Sequence, residues 1–111
     1  MESKRMRIAR ALDDFEGLLE KADVAWRVEK ASGVQGIVRL RFDNVVEELA
    51  REHGISSDDI FGEASMMTIR ALEDGARGRC DDYIVRPWVD GGKFIGHVLT
   101  FYKFGMIGGA A

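Results

Sequence analysis

Two runs rich in β-branched and aromatic residues, 83–89 and 94–104, flank the tetrapeptide Asp90-Gly91-Gly92-Lys93. Adjacent glycines accept the positive φ values that a tight antiparallel turn requires, so this pattern predicts a β-hairpin over 83–104. With Gly91 and Gly92 as the loop, Val89 faces Phe94, Trp88 faces Ile95, Pro87 faces Gly96, Arg86 faces His97, Val85 faces Val98 and Ile84 faces Leu99. Strand alternation then sorts the side chains into two sets. Tyr83, Val85, Val89, Phe94, Val98 and Tyr102 form a core-like face. Ile84, Trp88, Ile95, Leu99 and Phe101 form the other, interleaved with Arg86 and His97. Pro87 has no amide proton to give, so its strand lies at a sheet edge or is bulged there.

The rest of the chain supplies helices and one more strand. Ile8, Leu12, Phe15, Leu19, Ala22 and Trp26 recur at steps of four and three, which predicts a long amphipathic helix within 1–31, ended by Ser32-Gly33. Residues 36–42 alternate Val38, Leu40 and Phe42 with Arg39 and Arg41, the period of a strand with one buried face. Asp43 or Asn44 is placed to cap a helix that Gly54 stops, and Ser56 or Ser57 to cap a second that runs to Ala76. Gly62 within that second helix suggests close packing, and Met66, Met67 and Phe61 suggest core filling under the sheet. The chain therefore reads as one α+β domain of order α-β-α-α-β-β: a three-stranded antiparallel sheet with a C-terminal hairpin, a long N-terminal helix, an acidic αα-hairpin over 44–76, and a flexible tail over 105–111.

A chain of 111 residues can bury a core without covalent staples. Its one cysteine, Cys80, excludes an internal disulfide and fits a reducing cytoplasm. No apolar run approaches the ~18 residues of a membrane span, and the charged start Met-Glu-Ser-Lys-Arg-Met-Arg does not resemble a signal peptide. The net charge of −3 is unevenly placed. Residues 43–76 hold nine carboxylates against two arginines, while the segments on either side each carry an excess of two bases.

Leu49-Ala50-Arg51-Glu52-His53-Gly54-Ile55 resembles the first helix and turn of helix-turn-helix proteins, and the element order is similar to that of a winged helix. The resemblance covers about thirty residues and implies a DNA reader whose second helix would present Ser56, Ser57, Asp58, Phe61, Gly62 and Ser65. Charge argues the other way. That helix offers no base before Arg70, its Glu63 occupies a slot expected to be apolar, and an acidic surface repels phosphate.

The candidate binding residues are Arg39, Arg41, Arg86, Trp88 and His97, gathered by the expected register on the second sheet face. Guanidinium groups beside an indole can hold a carboxylate, a phosphate or an acidic protein partner. The same face is too apolar for water, so either the first helix or a second subunit is expected to cover it, and a homodimer through the first helix or through Trp88 and Leu99 is expected. No nucleophile pattern, metal-ligand spacing or phosphate loop is present, so neither a cofactor nor a metal is expected. The leading expectation is a small non-enzymatic binding module. A winged-helix-like regulator docking through Lys4, Arg5, Arg7, Arg10 and Lys93, and a small enzyme using His97, are the alternatives.

Overall fold

The computed structural model describes residues 2–21, 30–32, 35–77 and 82–102. Its elements are α1 (Lys4–Lys21), β1 (Lys30–Ser32), β2 (Gln35–Arg41), α2 (Asp43–His53), α3 (Asp58–Ala76), β3 (Asp82–Asp90) and β4 (Lys93–Tyr102). All strand pairs are antiparallel, and the sheet runs β1-β2-β4-β3. The α+β architecture, the hairpin and the helix pair stand as expected. Gly91 and Gly92 take φ of 59° and 78°, which is why the turn needs them.

The first helix does not reach Ala31 as expected. Lys30–Ser32 is not its end but a strand, paired with Gln35–Ile37 at the edge of the sheet. Ser-Gly punctuation marks a hairpin turn as readily as a helix end. Ala22, Trp26, Cys80 and the 105–111 tail lie outside the described residues.

At the end of α2, Gly54 adopts φ 66°, and the Gly54 and Ile55 amides donate to the Arg51 and Ala50 carbonyls at 3.3 and 2.9 Å. The start of α2 departs from expectation: Phe42 holds the cap position with no side-chain bond, and Asp43 is the first helical residue. At the start of α3, Asp59 accepts the Ser56 amide at 3.0 Å, and that bond, aided by Lys4 3.2 Å away, holds its carboxyl below the usual range.

The helices bury one side of the sheet in two connected layers. Ala11 and Phe15 of α1 meet Val46, Leu49 and Ala50 of α2 and Ile60 and Ala64 of α3, with Phe42 beneath. Leu72 and Ala76, farther along α3, pack on Val38 and Leu99. Helix α3 achieves both contacts because its buried residues, Ile60, Ala64, Thr68, Leu72 and Ala76, recur every fourth position along one stripe. Gly62 is exposed and a Cβ there would meet nothing within 4 Å, so it serves no close packing. Met66 is also exposed, while Met67 packs on the core. Helix α1 packs against α2 and α3 rather than across the sheet.

Candidate functional site

The expected hairpin register holds only near its turn, because one extra residue shifts the rest. Val89 pairs with Phe94 as expected, but Trp88 pairs with Gly96, Pro87 with His97, Arg86 with Val98 and Val85 with Leu99. Ile95 is the extra residue of a β-bulge, and its carbonyl accepts the Phe42 amide at 2.9 Å. Gly96 is required beside it. A Cβ at that position would overlap the Leu40 carbonyl oxygen and lie 2.8 Å from Arg41 Cα.

This shift divides the five candidate residues between two faces. Strand pairing places three rows on the face turned away from the helices: Ile37, Thr100 and Ile84; Arg39, Val98 and Arg86; and Arg41, Gly96 and Trp88. His97 and Leu99 instead share the buried face with Leu40 and Val38. The expected grouping of His97 with the arginines is therefore corrected, as is Leu99 as an interface residue, because Leu99 is fully buried.

On the open face the Arg39 guanidinium lies over the Trp88 ring, 5.7 Å from its centroid. The two are diagonal neighbours across β4, and Gly96 between Arg41 and Trp88 leaves no side chain to separate them. Arg86 shares the row with Arg39. Ile84 is 41% exposed, so apolar surface borders the cations.

Arg41 is turned to a different task. Its Nε donates to Asp43 Oδ1 at 2.6 Å and its Nη2 to Oδ2 at 3.3 Å. Asp43 is buried at 2% exposure, and Lys93 Nζ stands 3.5 Å from its Oδ2 and 3.2 Å from Glu47 Oε1. The Arg41 hydrogen bond holds the Asp43 carboxyl below its ordinary range against the opposing effect of burial. Arg41 is raised in turn by Asp43, and Lys93 by Glu47. This chain of ions ties the hairpin tip to the start of α2. An Arg-x-Asp spacing at a strand-to-helix junction was its sequence signal, hidden by the capping reading of Asp43.

His97, at 3% exposure, sits in an aromatic box. Its ring stacks on Phe42 with centroids 5.8 Å apart and meets Phe94 edge-on at 5.2 Å, and Phe61 closes on both phenylalanines at 5.0 and 5.5 Å. The Thr68 hydroxyl donates to the Ser65 carbonyl at 2.8 Å, so its oxygen accepts from His97 Nδ1 at 2.7 Å. Burial lowers the His97 pKa, keeping the ring neutral with its proton on Nδ1. Phe61, a would-be DNA-reading residue, is part of this box.

Three of the four bases at the start of the chain are likewise engaged within the fold. Lys4 pairs with Asp59 at 3.2 Å, Arg7 donates to the Gly54 carbonyl at 3.3 Å, and Arg10 pairs with Glu2. His53, at the end of α2, meets Asp14 of α1 at 2.8 Å. Among the described residues, no three of His, Cys, Asp and Glu come together as a metal-binding group. No described helix is long and apolar enough to cross a membrane. The chain matches no protein-family model, no curated protein and no solved structure, so its own geometry carries the functional reading.

Proposed function

We propose that the chain is a small non-enzymatic binding module whose open sheet face docks an acidic segment of a protein partner. The Arg39 guanidinium stacked over Trp88 beside Arg86 is the observation that carries this reading. Stacking orients the Arg39 guanidinium over the ring, two arginines side by side give the row a positive charge that attracts carboxylates, and Trp88 and Ile84 offer apolar contact beside it. Arg41, bonded to Asp43, stiffens the border of the face.

A homodimer closing over the same face is the second reading, favoured by the exposure of Ile84. A two-fold axis there would bring the arginine row of one copy near that of its partner, so an acidic partner suits the face better.

The test is anisotropy of a labelled peptide bearing Asp and Glu around one aromatic residue, against its Asn and Gln counterpart. Tighter binding of the acidic peptide, weakened by salt and by Arg39→Ala with Arg86→Ala, supports the proposal. Equal affinity for both peptides, or no effect of the arginine substitutions, sinks it.

A further inference from the structure

A groove of about 570 Å³ runs between α1 and α2 and is lined by no residue of the sheet. Its floor is Gly17, Leu18, Val45 and Leu49. Each helix contributes two carboxylates to the walls, Asp13 and Asp14 from α1 and Glu48 and Glu52 from α2. Asp14 is shared with His53.

Two features of the floor have no use inside the described fold. Gly17 stands in the interior of an 18-residue helix, where glycine weakens helix formation, yet a Cβ there would meet nothing within 4 Å. Leu18 beside it is 46% exposed. A residue that keeps the groove open and an aliphatic side chain left at its surface are what a docking floor needs, and neither follows from acidity.

We infer that this groove docks a basic amphipathic helix of a partner protein, a second surface distinct from the arginine-bearing sheet face. Two packed helices present a ready channel for a third, whose aliphatic residues at i, i+3 or i+4 and i+7 would lie on Leu18, Val45 and Leu49. Glu48 and Glu52, one turn apart on α2, face one flank of that helix, and Asp13 and Asp14 face the other. Lysine or arginine on both flanks then complements the walls and excludes acidic helices by repulsion. Opposite charge on its two binding surfaces would let the module hold two dissimilar partners at once.

The probe is a labelled 18-residue helical peptide with leucines on one stripe and lysines on both flanks, titrated against the full chain. Its controls replace the leucines by serine or the lysines by glutamate. Saturable 1:1 binding is expected for the probe alone, with at least a tenfold loss in Glu48→Gln with Glu52→Gln. Gly17→Leu is the sharper variant: it should raise the melting temperature by improving the helix while filling the groove and abolishing binding. Should Gly17→Leu fold poorly, Leu18→Asp, at an exposed position, replaces it with the same expected loss. Undiminished binding by these variants, equal binding of the serine-striped peptide, or light scattering showing a dimer that Gly17→Leu dissociates would each overturn the inference, the last by making a second copy the occupant.

Discussion

The rings of Phe94 and His97 meet edge to face, 5.2 Å between centroids, although the residues are three positions apart on one strand. A regular strand would point them to opposite faces. The bulge at Ile95 brings them together, and the same displacement separates His97 from the arginines.

Gly96 makes that bulge possible, so Gly96→Ala should destabilise the protein by about 1–3 kcal/mol through overlap with the β2 backbone. Urea denaturation measures it. Gly62→Ala, at an exposed helix position with open space, should stabilise by roughly 0.5–1 kcal/mol and serves as the contrast.

Thr68→Val removes one hydroxyl from a buried pair while keeping the side chain's shape. It should cost about 1–3 kcal/mol, because His97 Nδ1–H then lacks its acceptor. Thr68→Ser keeps the bond and should recover most of that loss in the same assay.

His97 also gives stability a pH dependence of known sign. Burial holds its folded pKa below the ordinary value of 6.5, so the unfolded chain binds more protons as the solution is acidified. The contribution of its neutral form is complete above about pH 6.5 and declines as pH falls from there toward the folded pKa. Denaturation between pH 7.5 and 5 should show this decline, and His97→Phe should flatten it.

Asp43 titrates in a separate window. Its folded pKa is depressed by Arg41, so its contribution is present above the ordinary value of 3.8 and is lost as pH falls through the folded value. Asp43→Asn weakens the bonds to Arg41 and Lys93 and should cost about 1.5–3 kcal/mol at neutral pH, the range for hydrogen bonds to charged groups. Guanidinium-free thermal melts at low and high salt would read it.

The fold was legible wherever a local signal had one physical meaning. Gly91-Gly92 demanded a tight turn, Gly54 a helix end, and the alternation of Val38 and Leu40 with Arg39 and Arg41 a half-buried strand. Ser32-Gly33 had two meanings, and Ser32 lies in β1 rather than at a helix end. The candidate site was legible in part: Arg39, Arg41, Arg86 and Trp88 share a face, as strict alternation from each strand requires. His97 fell on the wrong side because alternation was carried through the bulge. Its signals were Pro87 and Gly96, a proline and an interior glycine on adjacent strands, both common where pairing is irregular. Asp43 was misread because a carboxylate at a helix start serves a cap or an ion pair equally well.

The open, positive character of the Trp88 face is tested most directly by fluorescence quenching in a Trp26→Phe variant, where Trp88 is the sole indole. Scaled to each ion's quenching of free N-acetyltryptophanamide, iodide should quench Trp88 more strongly than caesium at equal low ionic strength, because the arginines concentrate the anion. The difference should shrink with added salt and in Arg39→Gln with Arg86→Gln. Protection of Trp88 from both ions, or equal quenching by the two, would contradict an open cationic face.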